Sequence, residues 1–249
     1  MKELSIKILI ISRSRWKTIN KHAGQMLPEW IEVLVPESEK EAYEANMPNP
    51  ILTIPDEVEG LGQVRNWVLD NFKEETVIMV DDDVIRMVNL SGIRTRRVED
   101  REEVVQAMIN TAIMSRDMGV HFFGYSQTDI RKFNGTDPFK LNTWVGCVVG
   151  INGRKYRFRN DKFKVDIDYA LQNLLTDRII FCDNRYYFYQ ERDNNKGGNS
   201  LYRTEEDLER SMHDLEKKWS PFLTINRNKH KNNVQLKMNV PRRQVIKYD

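Results

Sequence analysis

The absences narrow the possibilities first. The chain has no run of about 18 consecutive apolar residues, so a membrane-spanning helix is not expected. Cysteine is scarce: 249 residues hold two, Cys147 and Cys182, each in an apolar, strand-like run. That excludes a disulfide framework or a zinc site and points to buried thiols in a reducing compartment. Met1–Lys7 carries charge but no apolar stretch or small-residue cleavage site, so no secretory signal is expected. Twelve glycines and eight prolines form no linker that would split the chain, and no internal repeat is present. With 40% hydrophobic and 31% charged residues, long disorder and collagen-like repeats are excluded. A chain of this length buries roughly three-quarters of its unfolded surface and needs no covalent staple.

What is present is unevenly charged. The net charge is only +2, yet Glu29–Gly60 carries nine acids and one lysine, Lys40. Arg131–Lys164 carries nine basic residues against Asp137 and Asp161, and Ser220–Asp249 carries seven against Asp249. Such polarity can present a basic face to a polyanion. Aromatics interleave the run Arg154-Lys-Tyr-Arg-Phe-Arg159, as in grooves that bind nucleic acid. The same alternation fits a half-buried strand, and a basic run fits a solvated surface, so both readings stand.

Ile6–Ile11, Trp30–Val35, Ile51–Ile54 and Thr76–Val80 are short apolar runs of the buried-strand kind. Between them, helices are predicted over Trp16–Met26, Glu37–Asn46 and Gln63–Phe72, the last preceded by the breaker Gly60-Leu-Gly62. The alternation predicts an α/β fold with a mostly parallel central sheet flanked by helices. Further on, Glu99–Met118 reads as a long amphipathic helix and Asp168–Leu175 as a short one. His121–Tyr125, Trp144–Ile151 and Ile179–Tyr189 read as strands. Thr204–Lys218 reads as a helix opened by a Thr204/Asp207 capping box. One folded domain is expected over 1–225, with 226–249 a basic tail that closes the ligand site or contacts nucleic acid.

The sharpest motif is Thr76-Val-Ile-Met-Val-Asp81-Asp82-Asp83-Val84. A buried strand delivers three carboxylates at its C-terminal end, where open α/β sheets bind ligands. Adjacent carboxylates repel unless a cation or donors neutralise them. Hard oxygen ligands suit Mg²⁺ or Mn²⁺, which leave positions for substrate phosphates. The plain alternative is an acidic turn that caps the next segment. Haloacid-dehalogenase-type phosphatases also use Asp-x-Asp after a strand, but near the chain start and with Thr or Val where Ile85 stands. A Walker P-loop and a Gly-x-Gly-x-x-Gly fingerprint are absent.

Upstream, Gly62-Gln-Val-Arg65-Asn66 opens the helix that leads into the Asp81 strand. A first strand ending in Ser12-Arg13, a Gly-x-x-Arg-Asn helix and an apolar strand ending in Asp-x-Asp together resemble the GT-A glycosyltransferases. Ser12-Arg13, the Asp81-Asp82-Asp83 triplet, the compact length and the basic tail are most similar to the phage TET-associated glycosyltransferases. That family is credited with putting sugars on hydroxymethylated pyrimidines in DNA. The GT-A resemblance covers residues 6–85 and, more thinly, about 160–190.

The resemblance implies a nucleotide-sugar donor, a UDP-sugar first among them, and Mn²⁺ or Mg²⁺. It implies that Asp83 ligates the cation, that Asp81 ligates it or holds the donor ribose, and that Asp82 orients the donor or a neighbouring loop. Ser12, Arg13, Arg15, Arg65 and Asn66 become donor-binding candidates, since guanidinium groups and helix N-termini suit phosphate. For each arginine a surface ion pair is the plain reading. Val165-Asp166-Ile-Asp168 resembles the acidic segment of inverting members, which implies Asp166 as the base and Asp168 as a helix cap beside it. Both are catalytic candidates. Val165 stands where that pattern has an acid, capping alone would also explain the pair, and inversion or retention stays open. His230, in the basic tail, is implied as a further metal ligand. Trp144 and Tyr186–Tyr189 are candidates for a pocket that stacks an extruded base. The expected protein is a cytoplasmic, metal-dependent glycosyltransferase with DNA as acceptor, acting in an infected bacterium if phage-encoded. Three rivals stay open: transfer to a protein, glycan or small molecule; an inactive nucleic-acid-binding module; and a nucleotidyltransferase, although the Gly-rich N-terminal loop with arginine that sugar nucleotidyltransferases use is missing.

Overall fold

The computed structural model describes residues 5–92, 94–129, 137–161, 163–191, 204–227 and 234–241. The four apolar runs form β1 (Ile6–Ile11), β2 (Glu32–Pro36), β3 (Ile51–Ile54) and β4 (Thr76–Asp81). They lie in the order β3-β2-β1-β4, all parallel. α1 (Ala23–Met26), α2 (Lys40–Glu44) and α3 (Leu61–Asn71) lie in the crossovers. The chain continues through β5 (Val84–Asn89), β6 (Arg96–Val98), α4 (Arg101–Asp117), β7 (Phe122–Ser126), β8 (Phe139–Lys140) and β9 (Val148–Asn152). It then forms α5 (Val165–Thr176), β10 (Phe181–Gln190), α6 (Glu205–Trp219), β11 (Leu223–Arg227) and β12 (Val234–Met238).

Among the described residues the main sheet has ten strands, ordered β3-β2-β1-β4-β9-β7-β10-β5-β6 with β8 paired to β10. β9 runs against β4 and β7, and β5 and β8 run against β10, so the remaining seven strands share one direction. The sheet is thus α/β and mostly parallel, as the sequence predicts. Two apolar layers cover it. Ile78 and Val80 of β4 face the layer holding α1, α4 and Tyr43. Val77 and Met79 face the layer holding α3, α5 and Leu215 of α6. No helix among the described residues is long and apolar enough to cross a membrane. Neither cysteine forms a disulfide among the described residues; Cys182 is buried and Cys147 partly so.

Three expectations are corrected. The helix expected over Trp16–Met26 is a 3-10 turn at Ile19–Lys21 and α1, broken at His22, whose backbone is neither helical nor extended. The helix expected from Asp168 starts at Val165. The basic tail expected from residue 226 begins inside β11, which pairs antiparallel with β12 in a hairpin that spans the expected boundary. Leu223 is buried, and Leu236 and Met238 pack against the α3/α5 layer, so alternate apolar residues hold the hairpin to the domain.

The basic run after β9 is also corrected. It does not form a free cationic face but lies antiparallel along α3. Arg154 donates to the carbonyls of Leu69 (2.8 Å), Phe72 (3.1 Å) and Glu74 (2.8 Å), at the C-terminal end of that helix. Lys155 pairs with Asp177, Arg157 with Asp70 (2.7 Å) and Arg159 with Asp161 (2.5 Å). Nearer the helix start, the Asn66 side chain donates to Phe158 O and accepts from Phe158 N, both at 2.9 Å. At the helix start itself, a Cβ on Gly62 would stand 2.1 Å from the Arg159 carbonyl oxygen. Because that oxygen is backbone, Gly62→Ala is expected to cost about 1–3 kcal/mol by overpacking. The readout is a lower urea midpoint at unchanged slope; an unchanged midpoint would refute the close approach.

Candidate active site

Side chains of a strand alternate between its faces, and β4 carries this alternation into the aspartate triplet. Asp81 shares the parity of Val77 and Met79 and meets α3, where Arg65 Nη2 lies 3.1 Å from its Oδ1. Asp82 shares the parity of Ile78 and Val80 and meets the opposite layer, where it binds Arg15 and accepts from Ser12 Oγ. Ser12 gives its proton to this carboxylate, so the Tyr43 hydroxyl, 2.6 Å away, donates to Ser12 and itself accepts from Arg15 N at 3.0 Å. Burial pushes the Tyr43 phenol far up, which keeps it a donor. Asp83 lies past the strand, 3.3 Å from Arg15 Nη1.

The pair that converges is Asp81 and Asp83. Gln190, at the end of β10, places its amide nitrogen 2.8 Å from Asp83 Oδ1 and 3.5 Å from Asp81 Oδ2. One donor thus occupies the point on which both carboxylates are aimed. Among the described residues three carboxylates face two guanidinium groups, so negative charge is in excess. Burial, with Asp83 and Asp82 close by and Arg65 opposing, pushes Asp81 up to about 7. Burial, opposed by Arg15 and reinforced by Asp83, pushes Asp82 up to about 6. A divalent cation fits Asp81 and Asp83: it would replace the Gln190 donor, and such ions complete their shell with water and substrate phosphates. Asp82 is turned away, and among the described residues no group of three His, Cys, Asp or Glu ligands forms. His230 lies outside the described residues.

Several of the donor-binding candidates hold protein groups in this structure. Arg13 donates to the carbonyls of Asp56 (3.3 Å) and Val58 (3.1 Å) and faces Glu59, so it holds the loop before α3. Arg15 is tied to Asp82 and Asp83. Arg65 is only 1% exposed, bound to Asp81 and set over the Phe158 ring at 5.4 Å. Asn66 is filled by the Phe158 backbone. The Gly-x-x-Arg-Asn motif thus seats the 154–161 segment and pairs with Asp81.

That segment leads to the two acids of α5. A Cβ on Gly62 would lie 3.2 Å from Val165 Cγ1, so the first turn of α5 abuts the first turn of α3. Asp166 sits in that turn, half-buried and without an ion pair among the described residues. Asp168 is corrected: it caps nothing and is fully buried. Its Oδ1 accepts from Lys218 Nζ (2.6 Å) and Trp219 Nε1 (2.7 Å), and its Oδ2 from Gln172 (2.8 Å). It clamps α5 to α6. Trp144 packs partly into the α3/α5 layer, and Tyr186 into the other. Sequence reasoning missed Gln190, Tyr43, Lys218 and Trp219; none belongs to a motif that would have marked it.

No curated protein matches the chain. Among solved structures, Staphylococcus aureus TarS residues 1–349 in complex with UDP-GlcNAc is similar, with a TM-score of 0.53 and 13% identity over 85% of this chain and 65% of that one. The chain spans less than two thirds of that TarS fragment. Glucosyl-3-phosphoglycerate synthase from Mycobacterium tuberculosis, in complex with Mn²⁺, UDP and glucosyl-3-phosphoglycerate, gives a TM-score of 0.51 and 10% identity over 95% of this chain and 87% of that one. At these identities the likeness shows the fold, which is that of the GT-A glycosyltransferases. The profile of the TET-Associated Glycosyltransferase family matches residues 6–198, from β1 past the end of β10, and the chain belongs to that family.

Proposed function

We propose that the protein is a metal-dependent glycosyltransferase that moves a sugar from a nucleotide-sugar donor, a UDP-sugar first among candidates, to the hydroxymethyl group of a pyrimidine in DNA. The observation that carries this reading is the convergence of Asp81 and Asp83 on one point at the C-terminal end of the central strand, in a chain of this family. The two similar structures hold UDP-GlcNAc in one case and Mn²⁺ with UDP in the other, which supports donor and cation.

A bound Mn²⁺ or Mg²⁺ supplies Lewis-acid stabilisation of the leaving diphosphate. Asp81 and Asp83 would hold it, and Arg65 and Arg15 keep the two carboxylates in place from opposite layers. Asp166 takes the proton of the acceptor hydroxyl if the reaction inverts. The first turn of α5 presents it, and the Asp168 clamp fixes the helix that carries it.

The test is mass spectrometry of hydroxymethylcytosine DNA incubated with the protein, Mn²⁺ and a panel of nucleotide sugars. The expected result is a mass gain of one sugar per modified base, lost with chelator. No gain on DNA with any donor, together with transfer to a glycan, protein or small acceptor, would overturn the DNA reading.

A further inference from the structure

With the 154–161 run occupied along α3, an acceptor strand needs another cationic surface, and β5, β6 and β10 offer one beside the carboxylates. In this antiparallel trio Tyr189 stands opposite Arg86, Tyr187 opposite Val88, and Val88 opposite Arg97, so these residues share one face. The Arg86 guanidinium lies 4.2 Å from the Tyr189 ring centre. The Tyr187 and Tyr189 rings are edge-on, 6.3 Å apart. Tyr189 is 37% exposed, and among the aromatics of the described residues Trp30 alone exceeds it. Arg94, Arg96 and Arg97 are exposed at the rim. The last two face Glu103 and Glu99 in exposed pairs, which bind weakly and yield to a stronger anion. The platform ends at the candidate site: Gln190 follows Tyr189 and reaches Asp83, and Glu191 N donates to Asp83 O at 3.0 Å.

We infer that the Tyr187–Tyr189–Arg86 face is the acceptor subsite, which stacks an unstacked nucleobase of the DNA strand on Tyr189 and holds flanking phosphates on Arg86, Arg94 and Arg97. This rests on the DNA-acceptor reading above. Aromatic faces take any base, and arginines add both stacking and phosphate contacts, which is the chemistry of single-strand binding surfaces. Tyr189 is the chain neighbour of Gln190, whose side chain bridges Asp81 and Asp83.

The test is steady-state transfer and DNA-binding anisotropy with Tyr189→Ala, Tyr189→Phe and the double change Arg94→Gln/Arg97→Gln. Tyr189→Ala is expected to raise the KM for DNA about tenfold to a hundredfold, more than it raises the KM for the donor, and Tyr189→Phe is expected to restore it. The double arginine change is expected to lower the slope of log affinity against log salt by about one to two, whether or not the tyrosine variants fold. A wild-type KM for DNA in Tyr189→Ala, no rescue by phenylalanine, or an unchanged salt slope would overturn the subsite. If the wild-type protein itself transfers to a small acceptor and never to DNA, the underlying reading fails instead, and the two failures are told apart.

Discussion

Asp83→Asn is expected to lower sugar transfer by about 10²–10³-fold, the cost of removing one aimed electrostatic contact from a charged transition state. Calorimetry of UDP binding should lose its dependence on Mn²⁺ in the same variant, while the melting temperature without Mn²⁺ stays near that of the parent. The reason is position: Asp83 lies past the end of β4, at a turn, and its loss leaves both core layers intact. Asp82→Asn should behave in the opposite way. Asp82 is only 5% exposed and is the end of the Arg15–Tyr43–Ser12 chain, so its loss is expected to cost about 1–3 kcal/mol of stability. Equal Mn²⁺ dependence in parent and Asp83→Asn would remove Asp83 from the metal site.

The same assignment fixes a pH dependence. Asp81 and Asp82 titrate near 7 and 6 in the fold against 3.8 when free, so the folded state holds more protons than the unfolded state across that window. Without cation, their contribution to stability is full below 3.8 and is lost as pH rises through about 6 to 7. A cation on Asp81 competes with that proton, so its binding weakens as pH falls through about 7. Mn²⁺ should therefore raise the melting temperature of the parent at pH 8 and leave it unmoved at pH 5. A shift of equal size at both would count against Asp81 as a ligand.

For Asp166→Asn the expected loss is larger still, about 10²–10⁴-fold in turnover with donor affinity kept, because a general base acts on the acceptor proton and on nothing in the donor. Asp166 is half-buried in the first turn of α5 and has no ion pair among the described residues, so removing its charge unpairs no buried partner. Asp168→Asn is the informative contrast. It weakens the grip of Lys218 and Trp219, so it should shift the thermal midpoint as well as the rate. Near-normal turnover in Asp166→Asn would sink the assignment and favour retention.

The first four strands were legible because each is a short, mainly apolar run, the pattern of a strand inside a parallel sheet. The carboxylate cluster was legible for the same reason: three charges directly after such a run have few structural uses. What the arginines and Asn66 do was not legible. Guanidinium and amide groups that suit a phosphate also suit a carboxylate or a backbone carbonyl, and the choice depends on distant chain. Arg65 meets a residue 16 positions away and Asn66 one 92 positions away. The β11–β12 hairpin did leave a period-two signal, in Leu223, Ile225, Leu236 and Met238, but basic and polar neighbours hid it. Gln190 left none, since one amide at the end of a long strand has no pattern.

β4 is held residue for residue on both sides, Thr76–Asp81 against Ile6–Ile11 and Thr76–Val80 against Asn152–Val148. Dropping or adding one residue before Asp81 would turn Asp81 toward Arg15 and Asp82 toward Arg65, because side chains change face with every step. Over evolutionary time this strand can therefore exchange one apolar residue for another, yet it is closed to insertion and deletion. Length differences between relatives have to accumulate elsewhere, in connections whose ends do not carry the parity of the triplet.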